Sequence, residues 1–434
     1  MSALASAPVL ASVATPAVTH YRAAFERVQP SLPGSPTRRA VAMARFAELG
    51  FPSPRDEAWK YTNLRRLESR RFEPATHGGA AVGDVPQALV AQRLVLANGV
   101  PTGELPATLA GFRLGTLPTV ADDLLLRSID HGGTERFAAL NAAFSANPLL
   151  LEMDAHQQGS EVLQLTLMTT GAGPTLANPR IVVRMAPGSR GRLLLEHVDD
   201  DAHEHFTNAV LDVELGADAH LTVYRLQHQG TRAFHVERIE ARVGAGASFI
   251  VRDSQLGASL ARLDAHVSLD GRAAHGEITG VFLADGSRHL DSHILIDHRA
   301  IETTSLQDYR GIAANKGRGV FNGKTIVHVG AQKSNARQVN RNLLLTPGAE
   351  IDTKPDLEIY ADDVQCSHGT TTGQLDPAAL FYLRSRGLSE PEARSALTRA
   401  FAGAVLARVD EPALAARVQD ELDRRLVRLL EVAA

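Results

Sequence analysis

The chain has 434 residues, 44% of them hydrophobic and 22% charged, which is ample apolar content for a sizeable core spread over two or three structural units. Its 45 Lys and Arg against 49 Asp and Glu leave a net charge of −4, so no basic excess points to nucleic acid or to an acidic membrane surface. A single cysteine excludes a disulfide framework within the chain and fits a reducing, cytoplasmic setting, and no apolar run of about 18 residues offers a membrane span.

The N-terminus, Met1 to Val18, is rich in Ala and Val, and Ala5-Ser6-Ala7 has the look of a cleavage site. The first basic residue is Arg22, so the charged start of a secretory signal is missing, and Met1 to Pro16 is expected to be a poorly ordered tail. Residues 1–150 read as a mixed, mainly helical region. Ser35-Pro36 supplies an N-cap and a first-turn proline, Ala42, Phe46 and Leu49 form one helical face, and Gly50 stands where a C-cap belongs. Phe137, Leu140 and Phe144 predict a second helix stopped by Pro148. Between Val85 and Thr119 four prolines allow only short strands, such as Arg93 to Ala97.

Residues 151–375 change to a period of two. Leu263, Ala265, Val267 and Leu269 alternate with Asp264, His266, Ser268 and Asp270, and Leu211, Val213 and Leu215 alternate with Asp212 and Glu214. Turn glycines at Gly188, Gly216, Gly244 and Gly271 recur at near-constant spacing, as do Gly319 and Gly348. A strand–turn unit at fixed spacing predicts a parallel β-helix with two strands per turn, a dry Leu/Val/Ile interior and charges outside; a sandwich would not be expected to keep that spacing. From Asp376-Pro377 the helical period returns over 376–434. Ser389 and Glu392 form a capping box, Leu397, Phe401, Val405 and Val409 make one stripe, and Asp410 is expected to cap a last helix with Leu414, Val418, Leu422, Leu426 and Leu429 on its face. These helices are suited to capping the open end of the β-helix or to offering a docking surface.

Three segments carry candidate chemistry. Cys366 and His368 are two residues apart in an extended segment and therefore share a face, and thiolate with imidazole suits soft or borderline metals. Two ligands do not hold a metal unaided, and on spacing alone Cys366 reads as a small buried hydrophobe. Asp362 and Asp363 argue against an activated thiol nucleophile. Gly319-Val320-Phe321-Asn322-Gly323-Lys324-Thr325 imitates a phosphate loop but has one residue too few between its glycines and sits among strands, so the chain is expected to bind no nucleotide. His289, Asp291 and His293 share a strand face, which in a chain with 17 histidines reads as solvated surface rather than a metal site.

Several longer motifs occur in a fixed order: Arg55 to Thr62 (RDEAWKYT), Gly319 to Gly323 (GVFNG), Asn340 to Leu345 (NRNLLL), Lys354 to Val364 (KPDLEIYADDV) and Phe381 to Gly387 (FYLRSRG). Together they resemble the SufB/SufD family of the SUF iron–sulfur cluster assembly system over most of the chain. Cys366-Ser367-His368-Gly369, with no cysteine after Phe381-Tyr382, is similar to the SufD branch rather than the SufB branch. The resemblance implies a right-handed parallel β-helix flanked by helical regions and a non-enzymatic scaffold. It implies pairing with SufB through the C-terminal end of the β-helix and docking of SufC ATPase subunits on the C-terminal helices. In isolation the chain would stand alone or pair with a second copy of itself. It also implies that His368, with Cys366 second, lies at the SufB contact and helps hold iron or a nascent iron–sulfur cluster, the remaining ligands coming from the partner. A stand-alone β-helix enzyme acting on carbohydrate is the rival from another class. It would need paired carboxylates in an aromatic-lined groove, and the chain has 5% aromatics and one tryptophan, Trp59.

Overall fold

The computed structural model of the chain describes residues 15–76, 85–116 and 135–431. Two sheets, one 12-stranded and one 10-stranded, face each other along a parallel β-solenoid of about 8 turns. Consecutive strands alternate between the sheets, so each residue pairs with one a full turn away. Leu195, Arg225, Asp253, Gly280, Tyr309, Asn340 and Thr370 thus stack as one ladder of the smaller sheet. The turn glycines stack likewise: Gly216 N donates to Met185 O at 2.8 Å, and Gly244 N donates to Leu215 O at 3.0 Å. A Cβ at Gly271 would meet Ala245 N at 2.0 Å, so the recurrent glycine marks the place where turn lies on turn.

The inward residues of both sheets form the main core, with Leu193, Val223, Val251 and Ile278 facing Leu211, Ile239, Leu263 and Val267. The interior is not dry throughout. His197, Arg225, His235, Glu237 and Asp253 occupy inward positions and are buried, as are Gln307 and Gln338 nearer the C-terminal end. Alternation alone assigns inward positions but does not require them to be apolar; Arg225, for one, is matched inside by Glu237 and Asp253.

The N-terminal helices Pro16–Val28, Pro36–Leu49 and Glu135–Phe144 pack on the outer face of the larger sheet, where Tyr21, Phe46, Phe137 and Phe144 join Phe206 and Phe234. The caps fall as expected at Ser35, which accepts from Arg38 N, and at Gly50, with φ of 63°. Most of the expected tail lies outside the described residues, but Pro16 does not belong to it: Thr15 caps a helix that starts there. The strand Gln92–Ala97 extends the smaller sheet, pairing in parallel with Gln158–Thr169.

The C-terminal helices Glu390–Leu406 and Pro412–Glu431 lie along the outer flank of the smaller sheet rather than over the open end. Leu406, Leu414, Val418, Leu422 and Leu426 pack against Tyr224, Leu226, Val281, Leu283 and Ile312. The capping box at Ser389 and Glu392 is present. Asp410 is not the cap of the last helix, which begins at Pro412; its carboxylate instead accepts from the Tyr224 hydroxyl and faces Arg192 at 3.5 Å. Leu429 falls outside the described side chains. No helix among the described residues is long and apolar enough to cross a membrane.

Candidate functional site

A solenoid buries each inward row under the next turn, so its last turn is uncovered unless something caps it. Here the strands Glu350–Ile359 and Gln365–Gly373 end their sheets, each paired on one edge only. Cys366 and His368 sit in register with Ala336 and Gln338, which are inward and buried, and so prolong the inward rows onto the open end. His368, Thr370 and Thr372 are exposed there, while Cys366 is half-buried beside Val327, Ala331 and Ala361. Burial pushes the Cys366 thiol up, with the Ala336 backbone hydrogen bond opposing. Beneath this row Gln338 Oε1 and Asn342 Oδ1 are buried acceptors with no hydrogen-bond partner. A shallow hollow of about 310 Å³ opens at His368, lined by Arg337, Gln338, Asn340, Arg341 and Thr370.

The pair therefore shares a face, as its spacing requires. Among the described residues no third His, Cys, Asp or Glu closes a three-ligand group with it. Exposed apolar side chains follow these two strands in the chain: Tyr360 at 58%, and Phe381 at 75% and Tyr382 at 56% on the helix Pro377–Ser385.

The other singled-out segments find structural roles. Gly319–Lys324 belongs to the strand Arg318–Val327, and a Cβ at Gly323 would meet Gln338 Nε2 at 1.7 Å, so glycine there makes room for the interior amides. Lys324 Nζ is 2.6 Å from Glu358 Oε1, on the outer face. The His289–Asp291–His293 face is not solvated surface, because the Arg55–Thr62 segment covers it. Trp59 is 1% exposed and stacks on the Arg262 guanidinium at 3.7 Å. Arg262 pairs with Asp291 at 2.9 Å and Asp264 at 2.7 Å, Thr62 binds His289 at 2.8 Å and Asp291, and Glu57 reaches Lys354 at 2.8 Å.

A second polar cluster, not marked by any sequence motif, lies inside the solenoid. Arg225 Nη1 is 2.7 Å from Asp253 Oδ1, its Nε donates to Glu237 Oε2, and the Tyr309 hydroxyl donates to Asp253 Oδ2 at 3.2 Å. His235 and His197 lie 3.1 and 3.2 Å from the same Glu237 oxygen. Burial holds His235 down at about 3, so its imidazole is neutral. Burial alone would raise the Glu237 carboxyl, but the charge of Arg225 and the two imidazoles outweigh it and hold the group well below the usual range. The sequence signal for these residues was the alternation itself, which puts His197 after Leu193 and Leu195, and Arg225 after Leu221 and Val223, on the inward row.

Residues 167–401 match the family described as SUF system FeS cluster assembly, SufBD core domain. The chain is 29% identical over 413 residues to the iron–sulfur cluster assembly SufBD family protein slr0076 of Synechocystis sp., covering 90% of this chain and 91% of that protein. It is 28% identical over 398 residues to the iron–sulfur cluster assembly protein SufD of Escherichia coli, covering 88% and 91%. To the chloroplastic protein ABCI7 of Arabidopsis thaliana it is 26% identical over 375 residues, covering 82% and 78%.

Proposed function

The chain belongs to the SufBD family of the SUF iron–sulfur cluster assembly system, and on that premise we propose that it is the SufD-type scaffold subunit of a cytoplasmic assembly complex. It pairs with a SufB chain through the open end of its solenoid and carries SufC on the outer faces of its C-terminal helices. It has no catalytic site of its own. His368 is a ligand to iron or a nascent cluster held between the two chains, with Cys366 a secondary one.

The observation that carries this reading is the unfinished last turn. Two one-edged strands present unpaired backbone groups, a template for strand addition by another chain. A SufB solenoid continuing the stack would cover Thr370, Thr372, Tyr360 and Phe381 and bring further ligands to His368. The stripe Leu397, Phe401, Val405 is the support of the helices rather than the SufC surface: Val405 is buried and Phe401 lies under the Arg310 guanidinium at 5.2 Å. SufC contact therefore falls to the opposite faces.

The test is co-expression of the tagged chain with SufB and SufC, comparing wild type, His368→Ala and Cys366→Ser for melting, assembly, iron and sulfide. His368 is exposed, so the alanine variant melts within about 0.5 kcal/mol of wild type and assembles, yet carries less cluster, and Cys366→Ser shows a milder loss. Early melting and failed pairing would make the histidine architectural; wild-type iron and sulfide would remove it from the site.

A further inference from the structure

The interior cluster of His197, His235 and Glu237 has a bonding arrangement that the chain's own atoms leave unsatisfied. All three side chains are at most 1% exposed, and one ligand atom from each lies within 4.8 Å of the others. His235 Nε2 faces Glu237 Oε2 at 3.1 Å, which calls for a donor, and Arg225 Nη2 at 3.1 Å, which is itself a donor. One imidazole nitrogen cannot donate and accept at once. Its Nδ1 has no hydrogen-bond partner, and neither nitrogen of His197 has an aligned one, although His197 Nε2 approaches Glu237 Oε2 to 3.2 Å. Buried polar atoms are normally paired, and three unpaired imidazole nitrogens on two adjacent buried histidines are exceptional.

The charges point the same way. Arg225 is the one permanent cation of the cluster, against the carboxylates of Glu237 and Asp253. Arg225 serves both carboxylates at once, donating to Glu237 Oε2 and pairing with Asp253 at 2.7 Å, so one permanent cation faces two buried acidic groups, and a further cation would balance them. The spacings suit one. Metal–ligand distances near 2.0–2.1 Å place neighbouring ligands of a tetrahedral ion about 3.3 Å apart, close to the 3.1 and 3.2 Å separating the two imidazole nitrogens from the Glu237 oxygen.

We propose that His197, His235 and Glu237 form a binding site for a divalent first-row transition-metal cation inside the solenoid, held by two imidazoles and one carboxylate. That donor set is borderline in softness and suits Fe²⁺, Co²⁺ or Zn²⁺ rather than Mg²⁺ or Ca²⁺. Arg225 donates to the same Glu237 oxygen that faces the imidazoles and so fixes its orientation, as outer partners of metal ligands do. The two histidines come from opposite sheets, so the ion would tie the sheets together at the strands Arg190–Asp199 and Phe234–Val243. Being fully enclosed, it enters during folding, before the turns close over it. The site is separate from His368 and does not depend on the assembly role.

The experiment refolds the full-length chain from denaturant with Co²⁺ as the probe, followed by gel filtration, metal analysis and visible spectroscopy. Expected is a stoichiometric, exchange-resistant Co²⁺ with the d–d absorption of a low-coordinate nitrogen/oxygen site. At least tenfold weaker retention is expected in His197→Gln and His235→Gln, and full retention in His368→Ala. Proton NMR of the Co²⁺ protein reads the ligands without mutation, through hyperfine-shifted N–H resonances from two imidazoles. The proposal is overturned if refolded wild type retains no Co²⁺, if both glutamine variants retain it as wild type does, if only His368→Ala loses it, or if no imidazole resonance is shifted. Should the glutamine variants fail to fold, wild-type retention and the shifted imidazole protons decide the matter.

Discussion

Removing the Arg262 guanidinium should detach the Arg55–Thr62 segment from the solenoid. Arg262 and Asp291 are both fully buried, so their 2.9 Å ion pair has no solvent screening, and Arg262 also donates to Asp264 and to Ala58 O at 2.7 Å. Breaking such a pair from one side strands the other charge, at a cost of about 3–5 kcal/mol. Loss of the Trp59 stack adds up to about 2 kcal/mol. A stacked-turn protein need not unfold in one step, so the cost belongs first to the N-terminal segment. Trp59 is the only tryptophan and sits on Arg262, which makes intrinsic fluorescence a local probe. With Arg262→Ala the emission should shift to the red and its urea midpoint should fall by roughly 2 M, for an m-value near 2 kcal/mol/M. Far-UV circular dichroism, which reports the solenoid strands, should move much less. Arg262→Met with Asp291→Asn should recover part of the loss, because no bare charge remains buried. An unchanged Trp59 midpoint in Arg262→Ala, or parallel shifts of both signals, would refute the clamp.

Two further outcomes follow from single residues. His298 is buried between Thr303 and Ser305, and burial holds its pKa at about 4 against 6.5 for the free side chain. The unfolded chain takes up the proton first, so this contribution is complete above pH 6.5 and is lost as pH falls toward 4. At 1.36 kcal/mol per pH unit it amounts to about 3 kcal/mol, and His298→Gln should flatten that limb of the stability–pH profile relative to wild type. Lys324→Ala removes a half-exposed pair with Glu358 worth at most about 1 kcal/mol. It should leave ATP hydrolysis by the assembled complex unchanged; specific ATP binding by the isolated chain, abolished by this substitution, would overturn the reading of Gly319–Lys324 as plain strand.

Local chemistry was legible from the chain because it is local. The alternation of Leu263, Ala265, Val267 and Leu269 with polar neighbours determined a strand and its inward face, since side chains alternate with a period of two whatever the fold. The turn glycines Gly216, Gly244 and Gly271 marked a solenoid, because stacked turns bring Gly271 onto Gly244 and Gly244 onto Gly216, whereas Gly319, at the same spacing, lies within a strand. Ser35, Gly50 and the Ser389–Glu392 box marked helix ends within a few residues of themselves. The tertiary structure decided what meets what. Whether an inward charge is an error or a partner depends on the facing sheet, and His197 finds Glu237 only because the turns bring opposite sheets into contact. The His289–Asp291–His293 face looked like solvent surface until Trp59 and Thr62, more than 200 residues earlier, were laid over it. Cys366 and His368 share a face by spacing, but their position on an uncovered last turn follows from where the C-terminal helices pack: along the flank, where Tyr224 and Ile312 offer them an apolar surface, leaving the end of the stack open.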